Sequence, residues 1–160
     1  MKFRHATVVL SFVLPLGTLA IHHAANPYRL GAVEPVSNKA APQAVEDDMH
    51  EFMEYVFQPT YKRLKQSMSA EPADNSVWKG IKSDSLILAE GGNLLLLRVP
   101  DEDAATWSEL SAAVRDLGGQ LYRSAKKKNY ADAGKSYRAM LMKCNDCHNK
   151  FADGEHQLAP

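Results

Sequence analysis

Apolar residues recur about every 3.6 positions in four separate stretches of the chain, and this spacing limits the fold more narrowly than any other feature. A helix with such spacing carries its apolar side chains on one face, which it can bury against other helices. The sequence contains no alternating run of β-branched residues with hairpin signals. Since the connections are mostly short, it predicts an all-α, antiparallel, up-down-up-down four-helix bundle.

Each stretch supplies its own set of residues to the expected core. The first contains Val45, Met49, Phe52, Met53, Val56, Phe57, Leu64 and Met68, and the second contains Val77, Trp78, Ile81, Leu88 and Leu95. The third contains Trp107, Leu110, Val114, Leu117 and Leu121, and the fourth contains Tyr130, Ala133, Tyr137, Leu141, Cys144 and His148. The tryptophans and tyrosines are expected to be core or rim residues without a further role.

Polar and helix-breaking residues mark the expected ends and irregularities of the helices. Acidic residues 46–48 fit the first turn of the first helix, where they favour the helix dipole, and Asn75 is expected to cap the second. Pro59 removes a backbone donor and predicts a kink after residue 58. The pair Gly91-Gly92 leaves two interpretations open, a break in the second helix or a close approach by a neighbouring helix or cofactor.

The composition is that of an ordinary folded domain. The chain has 160 residues, a length typical of one domain, and its apolar share is 45%. Lys and Arg together number 19, as do Asp and Glu, so the formal net charge is zero. A nucleic-acid partner is therefore not expected, because proteins that bind the phosphate backbone carry a basic excess.

Residues 1–20 have the features of a secretory signal peptide. Lys2 and Arg4 form a basic start, and an uncharged apolar run extends from Ala6 to Ile21. Small residues before and at Ala20 fit cleavage after that position. The alternative is an uncleaved membrane anchor, but the run is shorter than the about 20 residues that a spanning helix needs. We expect a periplasmic or otherwise exported protein, associated with a membrane only if the signal is uncleaved.

The remaining chain divides into three parts. Residues 21–43 contain three prolines and no apolar period, which predicts a flexible leader. Residues 44–152 hold all four predicted helices and form the expected bundle domain. Residues 153–160 are a short polar tail, in which the sequence indicates no site.

The sequence Cys144-Asn145-Asp146-Cys147-His148, near the end of the fourth helix, matches C-x-x-C-H, the attachment pattern of haem c. Two thiols three residues apart project from one helical face, where each can form a thioether with a haem vinyl group. His148 can then reach the iron from the proximal side. The chain has no other cysteine, and haem c is attached outside the cytoplasm, in agreement with the expected export. We therefore expect one covalently attached haem c.

Three other interpretations of the motif are weaker. A C-x-x-C disulfide oxidoreductase places its reactive cysteine at a helix N-terminus within a βαβ context, whereas this motif ends a helix. A structural zinc site needs four ligands, and Cys144, Cys147 and His156 leave one position unfilled. A disulfide at this spacing would be strained within a helix.

With this motif on the fourth helix of a small exported bundle, the chain resembles cytochrome c-prime and its class II c-type relatives. The similarity extends from about residue 46 to 151 and is closest beyond residue 107. The resemblance implies a bundle with haem near one end, often homodimeric and periplasmic, in which Cys144 and Cys147 form the thioethers and His148 is the proximal ligand. Ala152 departs from the family, which often has a basic residue there, and this argues against the family's proximal gas chemistry.

The resemblance also places the distal side of the haem against the first helix. In cytochrome c-prime the distal residue is apolar and leaves the iron five-coordinate, whereas in low-spin relatives it is a methionine, which raises the reduction potential. Met53 is the expected sixth ligand, and Met49, one turn earlier, is the second choice. Core filling is the alternative for both. Phe52 and Val56, together with Phe57, are expected to form an apolar wall of the haem site.

The stretch from Tyr122 to Lys150 carries eight basic residues against two acidic ones. It is either a solvated surface with cations near helix C-termini or a region that steers an acidic redox partner towards the haem. Altogether the sequence predicts an exported monohaem c-type cytochrome that carries single electrons and is not an enzyme. The alternative is a five-coordinate haem protein that binds nitric oxide or carbon monoxide.

Overall fold

Four helices account for most of the computed structural model, which describes residues 41–160. Helix α1 has three consecutive segments, α-helical Met49–Phe52, π-helical Met53–Phe57 and α-helical Gln58–Met68. The other helices are α2 (Asn75–Leu95), α3 (Ala104–Lys126) and α4 (Tyr130–Phe151). Within residues 41–160 there is no β-strand, which confirms the predicted all-helical class with four helices. The predicted signal peptide and nearly all of the leader lie outside the described residues.

Side-chain caps fix the starts of α1, α2 and α4, and the first two of these starts differ from expectation by one or a few residues. Helix α1 begins after Asp48, whose carboxylate accepts from the N–H of Glu51, so Val45 is outside the helix and fully exposed. The cap of α2 is Asp74, not Asn75, because the Asp74 carboxylate accepts from the N–H groups of Ser76 and Val77. A hydrogen bond from the Ser76 hydroxyl, followed by those from the backbone N–H groups of Val77 and Ser76, lowers the pKa of Asp74. Each of several neighbouring polar residues before a helix could be its N-cap, and the spacing of the apolar residues does not show which one is.

The irregularity caused by Pro59 takes the form of a π-helical turn that precedes it. Proline has no N–H and its ring crowds the carbonyl four residues earlier. The N–H of Gln58 bonds to the carbonyl of Met53, five residues back, and the α-helix resumes from Gln58. π-Helical turns of this kind occur frequently at functional sites. This one begins at Met53, a predicted site residue.

Two apolar clusters hold the helices together. The larger is centred on Leu64, Ile81, Leu121 and Met140, one from each helix and all fully buried. The smaller is built from Phe52, Leu95, Trp107, Leu110 and Cys147. The second cluster lies at the end of the domain that carries the cysteine motif. In the described part of the chain, no helix is long and apolar enough to span a membrane.

The Gly91-Gly92 pair lies inside an unbroken helix, which decides between its two interpretations in favour of close approach. A Cβ on Gly91 would come within 2.7 Å of the Phe57 ring, and one on Gly92 would come within 2.7 Å of the backbone nitrogen of Arg115. On the facing helix, a Cβ on Gly118 would lie 3.0 Å from the backbone of Ala89. Helices α2 and α3 therefore touch backbone to backbone at Gly92 and Gly118, whereas Gly91 leaves room for the Phe57 ring of α1.

Replacing Gly92 by alanine should destabilise the domain although alanine is the better helix former. Overpacking against the Arg115 backbone costs about 1–3 kcal/mol, which exceeds the gain of about 1 kcal/mol in helix propensity. Gly80→Ala is the matched control, because its Cβ would make only an ordinary contact of 3.6 Å with Ser67. We expect Gly80→Ala to stabilise by about 0.5–1 kcal/mol. Urea unfolding of the exported protein measures both, and equal gains would contradict the close packing.

Consecutive helices pack closely, but among the described residues α1 and α4 have no comparable backbone packing. At one end of this pair, the hydroxyl of Tyr130 donates to the carbonyl of Met68 over 2.8 Å. At the other end, where α1 begins and α4 finishes, the two helices leave a gap. The predicted site residues of both helices lie beside this gap.

Candidate functional site

Helix α4 places the two cysteines and the histidine of the motif on its last two turns. Cys147 is buried, Cys144 and His148 are half-buried, and the two thiols are free. The helix continues without a break to Phe151. The motif therefore presents its two thiols and its imidazole from one continuous helix.

Burial raises the pKa of both thiols, to about 12 for Cys144 and to about 11 for Cys147. The redox-active cysteines of C-x-x-C oxidoreductases have the opposite shift, because a helix N-terminus or a neighbouring cation stabilises the thiolate. These thiols lie near a helix C-terminus in apolar surroundings. Their environment gives no support to the oxidoreductase interpretation.

A cavity of about 510 Å³ fills the gap between α1 and the end of α4. Its volume is within the range of about 300–1,000 Å³ usual for small-molecule and cofactor sites. A second cavity of about 40 Å³ lies deeper among the helices. Five residues line both cavities, namely Met53, Phe57, Cys147, His148 and Leu158. Cys144 lines only the inner cavity. The motif thus faces apolar space on both sides of Cys147.

A backbone carbonyl orients the imidazole of His148. The Nδ1 atom of His148 lies 2.9 Å from the carbonyl oxygen of His156. A carbonyl only accepts, so Nδ1 carries the proton and donates, which leaves the lone pair on Nε2. Burial lowers the pKa of His148 and so favours the neutral ring. Histidines that bind metals usually have such a partner on the second nitrogen.

The two predicted sixth ligands both lie at the site. Met53 lines both cavities, while Met49 lines only the outer one, and both side chains are partly buried. His50 also borders the outer cavity, but its side chain is 73% exposed and lies 3.3 Å from Glu54. Met53 thus shares both cavities with the motif, including the inner one that Cys144 lines, whereas Met49 shares only the outer one.

Of the three residues expected to form the apolar wall of the site, only Phe57 lines a cavity. Phe52 and Val56 pack in the smaller apolar cluster but line neither cavity. Phe57 lines both, and its ring fits over Gly91 and meets the Phe52 ring edge to face at 5.6 Å. The π-helical turn displaces the residues after Met53 from ordinary helical positions, which a period of 3.6 does not anticipate.

Trp107 has a role that the sequence did not indicate. Its ring lines the outer cavity and meets Phe151 edge to face with 5.1 Å between centroids. Its indole N–H donates to the carbonyl of Leu95 over 2.9 Å, and this bond is buried. Trp107 therefore fixes the end of α2 while it forms a wall of the site.

The C-terminal tail also belongs to the site, contrary to the expectation that it carries none. It supplies the His156 carbonyl that faces His148, and its one large apolar side chain, Leu158, lines both cavities. Two signals in the sequence could have suggested this. Gly154 follows the helix closely, as a glycine that ends a helix does, and Leu158 is an isolated large apolar residue in a polar segment. In the structure Gly154 has a φ of 76°.

The basic residues are distributed differently from the expected cluster around the site. Lys126–Lys128 precede α4, whereas His148 is near its end, about 27 Å along the axis at 1.5 Å per residue. Lys143 pairs with Asp146 over 2.8 Å, and Lys150 pairs with Asp103 over 2.6 Å. Lys150 is thus paired with a residue at the start of α3. Ala152, at the position where the resembled family often has a basic residue, lines the outer cavity.

No family model, no curated protein and no solved structure matches this chain. Between residues 41 and 160, no three His, Cys, Asp or Glu side chains come together in a way that could hold a metal ion by themselves. A zinc site built from Cys144, Cys147 and His156 thus receives no support from the described residues.

Proposed function

We propose that this protein is an exported monohaem c-type cytochrome of the cytochrome c-prime type, which carries single electrons and is not an enzyme. One observation carries the proposal. Two thiols, an imidazole and a thioether, from Cys144, Cys147, His148 and Met53, border two adjoining cavities between α1 and α4.

The residues at these cavities fit haem c. Cys144 and Cys147 are one helical turn apart on α4, the spacing at which two thioethers to one haem form. His148 has Nε2 free for iron, because Nδ1 is held by the His156 carbonyl. The remaining lining is largely apolar, with Phe57, Trp107 and Phe151 supplying aromatic surface.

The chain's own residues would bind, orient and shield the cofactor. Haem c would supply the iron that is alternately oxidised and reduced. The two thioethers would hold the group covalently, so its retention would not depend on binding affinity. Phe57, Trp107 and Leu158 would exclude water from its surroundings, which affects the reduction potential. Met53 would provide the thioether sulfur that raises this potential.

The antiparallel up-down-up-down arrangement is part of the proposal. Only three residues join α3 to α4, and connections this short favour antiparallel neighbours. The hydroxyl of Tyr130, at the start of α4, bonds to Met68 at the end of α1. Trp107, near the start of α3, bonds to Leu95 at the end of α2. Each of these contacts joins the beginning of one helix to the end of another.

The cellular setting follows from the same proposal. The features of residues 1–20 support export, to the periplasm in a bacterium, because haem c is attached outside the cytoplasm. The partner would be another redox protein. The protein would also form a homodimer, as proteins of the cytochrome c-prime family often do. Lys126–Lys128 lie far from the motif, so attraction of an acidic partner to the site would need other basic residues.

An absorption spectrum of the exported protein tests this function. We expect a low-spin c-type spectrum with a methionine–iron charge-transfer band and no change when carbon monoxide is added to the reduced protein. A high-spin spectrum that responds to carbon monoxide would support the gas-binding alternative in place of electron transfer. Expression without haem c maturation is the control.

A further inference from the structure

Residues 155–160, which we call the strap, cross from α4 to α1 over the gap that holds the outer cavity. The chain turns back after Phe151 through three residues in the left-handed region, with φ of 49° at Asp153, 76° at Gly154 and 57° at His156. Two of these are not glycine, and such a conformation costs free energy in residues with a side chain. Contacts made by the strap must therefore offset that cost.

Two side chains hold the strap by its backbone, one from each flanking helix. On α4, the amide of Asn145 donates to the carbonyl of Leu158 over 2.9 Å and accepts from its N–H over 2.8 Å. On α1, the hydroxyl of Tyr61 donates to the carbonyl of Ala159 over 2.7 Å and accepts from its N–H over 3.2 Å. Both backbone groups of two successive residues are thus satisfied by side chains.

The strap then determines what lies beside His148. Its fixed path places the His156 carbonyl 2.9 Å from Nδ1 of His148 and the Leu158 side chain against both cavities. A further hydrogen bond, from the Gln157 amide to Asn149 over 3.0 Å, ties the strap to α4. Loss of the latch at Asn145 would let the carbonyl move away and expose the ring N–H to water.

We propose that the strap positions His148 as an iron ligand and closes the site, with Asn145 and Tyr61 as its two latches. This role rests on the proposed function, since it concerns the ligand of a haem. Asn145 is then a positioning residue, the first of the two variable residues in the C-x-x-C-H motif. Asp146, the second, bonds only to Lys143 among the described side chains and makes no hydrogen bond to the strap.

The test is hydrogen exchange at the His148 ring N–H in the reduced, haem-loaded full chain, followed by NMR. Carbon monoxide is added where the iron would otherwise be high spin. Asn145→Ala and Tyr61→Phe should each speed exchange by about ten- to hundredfold, as expected from the loss of two hydrogen bonds. Asp146→Ala, the matched control, should exchange at the wild-type rate. Tyr61→Phe lies outside the motif, so it carries the test even if Asn145→Ala is poorly loaded with haem.

Mass measurement of the same samples shows whether a negative result contradicts the proposed function or only the role of the strap. A full chain that is exported through a haem c maturation system without gaining a haem overturns the proposed function, and this role with it. A haem-loaded chain in which both latch variants exchange like Asp146→Ala overturns the strap alone. Faster exchange in all three variants also contradicts it, because Asp146 makes no hydrogen bond to the strap.

Discussion

Replacing Met53 by alanine should convert the haem-loaded protein from low spin to high spin and open the iron to carbon monoxide. Alanine has no atom that can bind iron, so position 53, which borders both cavities, would no longer supply a ligand. The reduction potential should fall by about 0.1 V or more, since axial ligands set haem potentials over about 0.8 V. Spectra with and without carbon monoxide, together with a redox titration, measure these changes.

Met49→Ala is the matched control for this substitution. Met49 lies one turn earlier on α1 and lines only the outer cavity. It should leave the low-spin spectrum in place and shift the potential only slightly. If Met49→Ala alone produced the high-spin state, Met49 would be the ligand. A low-spin spectrum in both single variants and in the double variant would exclude ligation by either methionine.

The double substitution Cys144→Ala and Cys147→Ala should abolish retention of haem under denaturing conditions. Only covalent bonds survive acid and organic solvent, and the chain has no third cysteine to replace the lost thioethers. Each single variant should keep one thioether and a spectrum shifted towards that of a vinyl-bearing haem. Extraction followed by the pyridine haemochrome assay measures the retained fraction. Retention of haem by the double variant would contradict attachment at these residues.

The helices were largely predictable because each has a clear apolar face. Helix α4 begins at Tyr130, the first residue of the fourth apolar stretch, and the inward residues Ala133, Tyr137 and Leu141 are buried. The starts of α1 and α2 were less well defined, because Asp48 and Asp74 each stand among other polar residues that could cap. Hydrophobic period predicts which face is buried but does not decide among neighbouring caps.

The motif residues of the candidate site were predictable because they are adjacent in sequence. Phe57 was not distinguished from Phe52 and Val56 as a wall residue, because the π-helical turn changes which side chains point to the gap. The strap was missed because its contacts join distant residues. Tyr61 and Ala159 are 98 positions apart, and no local pattern relates a tyrosine in α1 to a backbone group near the end of the chain.

The most direct test of a haem-bearing site at Cys144 and Cys147 is the mass of the exported wild-type polypeptide. The protein is coexpressed with a haem c maturation system, denatured in acid and organic solvent, and measured intact. Attachment at Cys144 and Cys147 predicts that the mature chain is heavier by one haem and that the added mass maps to the peptide containing residues 144–148. A polypeptide with two free thiols and no added mass would contradict it.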